Sequence, residues 1–163
     1  MKFDSNSRRA IQGLKFQDEV LQELAKKFYE VVPVRDWLTT IDPHLSEVQL
    51  NVLEQTWGDI VVWVTSNADP IFVECVSLGY ENSRFPESKV KKFMGDNKFY
   101  AFGWEGEATK YIPSATWNAY ARKLESFFRF GREFRKFSRG QITSVRTSCV
   151  GTEQFKTMLE TTQ

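Results

Sequence analysis

Between about Ser7 and Tyr29 the apolar residues Ile11, Leu14, Val20, Leu21, Leu24 and Phe28 recur at helical spacing, and charged residues fill the opposite face. This pattern predicts an amphipathic helix. The next stretch, EVVPVRDWLTTIDP, fits a short strand or an irregular segment, because Pro33 and Pro43 interrupt it. Ser46 is placed to cap a second helix holding Val48, Leu50, Val52 and Leu53, which Trp57-Gly58 ends. DIVVWV and IFVECVSL are rich in β-branched and aromatic residues and are separated by the turn formers of TSNADP, so they predict a hairpin. PESKVKKFMG reads as a short helix with Pro86 near its start and Gly95 as its stop. KFYAFGW and TKYIP read as two strands around the turn EGEA. A long helix from about Ser114, a strand QITSVRT and a closing helix TEQFKTMLE complete the chain.

The predicted order is α–α–β–β–α–β–β–α–β–α, with no internal repeat. That order favours a mixed α/β fold, a central mixed sheet flanked by helices. At 163 residues the chain suits one domain, 1–163, in which residues 114–163 form a C-terminal helix-strand-helix extension. Hydrophobic residues make up 41% and charged residues 26%, as in ordinary globular proteins and unlike disordered ones. The N-terminus lacks the apolar core of a secretory signal, and no run approaches the ~20 residues that span a bilayer. The expectation is a soluble cytoplasmic protein without membrane contact. Cys75 and Cys149 form no CxxC pair and His44 stands alone, which argues against a zinc site.

A net charge of +1 hides a segregation. Residues 1–80 carry 7 Lys and Arg against 12 Asp and Glu, whereas residues 122–146 carry 8 basic residues against Glu125 and Glu133. In ESFFRFGREFRKFSRG, read as helix, Phe127, Phe130, Phe134 and Phe137 recur at steps of 3, 4 and 3, and Arg129, Arg132, Lys136 and Arg139 repeat those steps two residues later. Two residues are about 200° of helical rotation, so rings would point inward and cations outward. Such a row can track the phosphate backbone of DNA. The alternative is an ordinary solvated basic face, with Gly131 breaking the helix.

The hairpin carries one carboxylate in each strand. On alternating strands Asp59 shares a face with Val61 and Trp63, and Glu74 shares a face with Phe72 and Val76. Both carboxylates can therefore stand together on one face. Like charges held close repel unless a cation sits between them, and Mg²⁺ or Mn²⁺ takes oxygen ligands of this kind. The plainer alternative is an Asp that caps the strand after Gly58 and a Glu exposed at a hairpin edge.

Three short segments together resemble the PD-(D/E)XK nuclease-like superfamily, of restriction endonuclease-like fold. They are Gly13-Leu14-Lys15-Phe16-Gln17, Gly58-Asp59-Ile60-Val61-Val62 and Phe72-Val73-Glu74-Cys75-Val76, and the likeness extends to element order over roughly residues 10–125. The resemblance implies Asp59 and Glu74 as metal ligands, a lysine two residues after the Glu to orient or activate the attacking water, and a first-helix glutamate in support. Val76 stands where that lysine would be, and Gln17 where that glutamate would be. Glu19 is an imperfect substitute for Gln17, about 200° around the helix. The predicted helix after Glu74 offers Lys89, Lys91 and Lys92 for the missing ammonium, and Lys91 or Lys92 is the preferred choice. Two functions compete. One is a metal-dependent DNA endonuclease, whose aromatic-rich surface could supply a homodimer interface for cutting both strands. The other is the same fold with a degenerate site, binding DNA or a protein partner without cutting.

Overall fold

The computed structural model describes residues 8–78, 84–104 and 106–161. Helix α1 (Arg8–Ala25) leads into strand β1 (Glu30–Pro33) and helix α2 (Val34–Ile41), so the ambiguous stretch before Pro43 is a strand followed by a helix. Helix α3 (Glu47–Trp57) begins at Ser46, whose hydroxyl accepts from the Gln49 N–H while the Gln49 side chain accepts from the Ser46 N–H. Strands β2 (Ile60–Trp63) and β3 (Ile71–Leu78) form the expected hairpin. After them come β4 (Arg84–Pro86), α4 (Glu87–Lys92), β5 (Lys98–Trp104), β6 (Lys110–Pro113) and α5 (Ser114–Arg122).

The C-terminal part departs from expectation twice. The long helix stops at Arg122, and the Phe- and Arg-rich segment is a second hairpin, β7 (Glu125–Arg129) and β8 (Arg132–Lys136). Rings and cations therefore do not lie on opposite helical faces. Phe127 faces Phe134 and Arg129 faces Arg132 across the ribbon, and both pairs share one side of it. QITSVRT, expected as a strand, lies in helix α6 (Arg139–Ser148). Ser138 and Gln141 build a capping box at its start, a local signal stronger than the β-branched content. Helix α7 (Thr152–Thr161) closes the chain as expected.

Five strands make the central sheet in the order β1-β2-β3-β5-β6, antiparallel except for the β3–β5 pair, and β4-β8-β7 form a separate antiparallel sheet. The fold is a mixed sheet with helices on both faces. One face packs Phe16, Val20 and Leu24 of α1 and Phe155 of α7 against Val62, Val73 and Ala101. The other packs Val61, Phe72 and Tyr100 under residues of α2, α3, α4 and α5. Side chains on the second face alternate with those on the first, which puts Glu74, two residues from Phe72, on the second.

Candidate active site

Asp59 is fixed by its backbone before its side chain does anything. Helix α3 ends at Gly58, whose N–H donates to the Glu54 carbonyl at 2.8 Å. Gly58 has φ +82°, and a Cβ there would lie 2.8 Å from the Phe93 ring and 3.0 Å from the Val73 carbonyl oxygen. Glycine is the residue that fits. The Asp59 N–H then donates to the Val73 carbonyl and its own carbonyl accepts from the Val34 N–H, each at 2.9 Å. Nearby, the buried Lys98 ammonium donates to the Thr56 carbonyl at 2.7 Å and lies 4.9 Å from the Trp57 ring centre, pinning the end of α3. Burial lowers its pKa.

From that position one Asp59 carboxylate oxygen accepts the Cys75 N–H at 2.8 Å. Asp59 and Glu74 line one cleft of about 210 Å³ with Glu54, Gln55 and Lys89. Glu74 is 7% exposed, and its Oε1 accepts from Lys89 Nζ at 2.7 Å. Burial, and after it the charge of Glu74, pushes the Asp59 carboxyl well above the ordinary range, and the Lys89 ammonium only partly offsets this. Burial pulls the Lys89 ammonium down, but the Glu74 and Asp59 carboxylates outweigh it and leave its pKa raised. The lysine stays charged.

The ammonium thus comes from Lys89, not from Lys91 or Lys92. Lys91 is exposed, and Lys92 donates to Gln55 on α3 at 2.8 Å. One helical turn separates Lys89 from Lys92 and Phe93, and the fully buried Val90 and Phe93 fix which side of α4 meets the sheet. Val76 is partly buried and packs against the core where the family's lysine would stand. Gln17 and Glu19 are not brought to the cleft. They lie on α1, which covers the other face of the sheet, and Glu19 lines a separate depression with Ser77 and Gly103.

Glu54 is the acidic residue that sequence reading missed. It sits one turn before Gly58 on α3, and Arg35 holds it at 2.8 Å while bonding Glu47 and Asn51 on the same helix face. Burial first, then Glu74 and Glu47, raises its carboxyl against the pull of Arg35. Its spacing to the Gly-Asp pair was the available signal.

Of the basic candidates, Arg132 lines the cleft, Arg129 faces it across the ribbon, and Lys136 stands opposite Glu125. Arg139 opens α6, and its side chain lies outside the described residues. The ribbon is fastened to α4 by Arg135, whose guanidinium bonds the buried Glu87 carboxylate and donates to the Leu124 carbonyl at 2.8 Å. Bonding to Arg135 lowers the Glu87 carboxyl.

No protein-family model and no curated protein matches the chain. Among solved structures it is similar to Hjc, a Holliday junction resolvase from the archaeal hyperthermophile Archaeoglobus fulgidus. The TM-score is 0.51 and the identity 12%, over 89% of this chain and 95% of that one. The fold is restriction endonuclease-like. Identity this low speaks for the fold alone.

The donor set suits a hard, hydrated cation. Among the described residues, one oxygen of Asp59 is engaged by the Cys75 N–H and one of Glu74 by Lys89. Among the described residues no group of three or more His, Cys, Asp or Glu side chains is arranged to hold a metal. Two carboxylates with water completing the shell is how Mg²⁺ is commonly bound, whereas Ca²⁺ and Zn²⁺ usually take more protein ligands. Cys75 and Cys149 are free, and no helix among the described residues is long and apolar enough to cross a membrane.

Proposed function

We propose that this protein is a metal-dependent endonuclease that hydrolyses phosphodiester bonds in DNA, with Asp59 and Glu74 holding Mg²⁺ or Mn²⁺. The observation that carries the reading is the 2.7 Å contact between Lys89 Nζ and Glu74 Oε1, in a cleft shared with Asp59. It supplies from α4 the cation that Val76 withholds from β3. The likeness of the fold to a DNA junction resolvase points the same way.

A divalent ion bound there would activate water and neutralise charge on the phosphorane. The chain's own groups prepare for this. Asp59 is oriented by the Cys75 N–H, and Glu74 is held by Lys89. The Lys89 ammonium lies beside both carboxylates, where it can donate to a phosphate oxygen or an attacking water. Arg132 at the cleft wall suits a neighbouring phosphate.

Wild type is expected to nick supercoiled plasmid with Mg²⁺ or Mn²⁺ and not in EDTA. Asp59→Ala is expected to abolish nicking, and Lys89→Ala to slow it by about 10²–10³, as loss of one positioned charge does elsewhere. Undiminished cleavage by Asp59→Ala would refute the assignment. A second reading, a DNA-binding module that never cuts, is favoured by the absence of α1 from the cleft. It requires salt-sensitive binding that survives replacement of Glu74, with no turnover under any metal. Cutting both strands would call for a homodimer, and sedimentation with and without DNA tests for one.

A further inference from the structure

The loop between β7 and β8 contains two residues, Phe130 and Gly131, and Arg129 and Arg132 close it as a register pair. Phe130 has φ +52° and Gly131 φ +74°. Two positive φ values in a two-residue loop define the type I′ turn, whose favoured first residue is Asn, Asp or Gly. Phenylalanine is a poor choice there, since a bulky residue at positive φ is strained. It gains nothing from burial in return, being 78% exposed, and its neighbour Phe128 is 75% exposed. Two aromatic rings thus stand in solvent at the end of a ribbon, one of them in an unfavourable backbone conformation. Strain kept at an exposed position with no packing reward points to a ligand.

The surroundings indicate which ligand. The Arg129 guanidinium lies 5.2 Å from the Phe130 ring centre, and Arg132, across the loop, lines the cleft that holds Asp59, Glu74 and Lys89. An aromatic face beside guanidinium groups matches a base with its flanking phosphates, because every base offers a π-face and every phosphate a negative charge. The ribbon behind the tip is firm. Phe127 and Phe134 stack at 5.7 Å, β8 pairs with β4, and Arg135 ties the ribbon to Glu87 on the same short helix as Lys89.

We propose that the β7–β8 hairpin is a wedge, with Phe130 as its stacking ring, and that the protein's substrate is DNA carrying an unpaired or easily unstacked base beside the phosphate in the cleft. This rests on the DNA reading above. At such a step a ring inserts without the full unstacking cost that a paired duplex imposes, so the wedge selects for irregular DNA.

Phe130→Asn is the deciding variant. Asn-Gly is the preferred type I′ pair, so the hairpin keeps its turn while losing the ring, and the thermal midpoint should not fall. Binding is measured by fluorescence anisotropy in EDTA, with a paired duplex and with the same duplex carrying a single-base bulge of 2-aminopurine. Wild type is expected to favour the bulge about tenfold, within what base–aromatic stacking supplies, and to change the 2-aminopurine emission. Phe130→Asn is expected to bind both DNAs alike, at the affinity wild type shows for the duplex. A variant that keeps the bulge preference, or weakens on both DNAs equally, overturns the wedge. So does a shift in sedimentation from dimer to monomer with the preference intact, which assigns the rings to a second copy of the chain. Failure of wild type to bind either DNA removes the nucleic-acid reading and the wedge with it. Because no divalent ion is present, absence of nicking leaves a positive wedge result standing.

Discussion

Asp59 is held in a conflict that a cation would relieve. Its carboxyl is pushed up by burial and by Glu74, and its position is fixed by two backbone hydrogen bonds and one to its side chain. The sign of the pH effect follows. A carboxyl raised in the folded state adds stability at pH below the ordinary value of 3.8, and loses that contribution as pH rises through the folded value. Ionising the buried side chain without metal therefore works against the fold, increasingly so as pH rises. Asp59→Asn keeps an oxygen for the Cys75 N–H and removes the repulsion. It is expected to raise the metal-free thermal midpoint by about 2–4 °C, the shift that roughly 1 kcal/mol produces in a chain of this size. Calorimetry in EDTA across acid to neutral pH checks this. The gap between variant and wild type should open as pH rises, and a variant less stable at neutral pH would contradict the conflict.

At the scale of elements, the end of α3 is what aims Asp59. Gly58→Ala sets a Cβ against the Val73 carbonyl and the Phe93 ring at positive φ. The expected loss is about 1–3 kcal/mol in urea unfolding and, on the proposed metal-dependent reading, weaker Mn²⁺ binding because Asp59 shifts. A variant of wild-type stability would show that the Gly-Asp step is not the anchor. This anchor was legible in sequence, since a glycine ending one pattern and an Asp opening the next is local information. The β7–β8 ribbon was not legible. Phe127, Phe130, Phe134 and Phe137 satisfy a helical period, whereas residues 125–129 and 132–136 show no alternation of apolar and polar positions, and the turn lacks the Asn-Gly that would have marked a hairpin. Pairing of β8 with β4, a contact distant in sequence, outweighs the local pattern.

Over the whole molecule, the shared sheet face of Asp59 and Glu74 could be read from alternation, whereas Lys89 could not be chosen over its neighbours until Val90 and Phe93 fixed the roll of α4. Glu54 was hidden for a similar reason, because its role depends on how α3 docks. The charge segregation survives in altered form, with an acidic cleft meeting a basic ribbon at Arg132. On the DNA-binding reading, each ribbon cation has a distinct share in phosphate contact. Arg129 and Arg132 flank the tip, Lys136 faces Glu125, and Arg135 is committed to Glu87. Arg129→Ala and Arg132→Ala should each lower the slope of log affinity against log salt by about one, and Lys136→Ala by less, since it stands at the end of the ribbon away from the tip. Lys156 lies on α7, on the far face of the sheet beside Glu160, and Lys156→Ala should leave the slope unchanged. Anisotropy titrations from low to moderate salt measure all four. Equal slopes for Arg132→Ala and Lys156→Ala would mean that DNA approaches from elsewhere, and the cleft would then lose the ribbon as its guide.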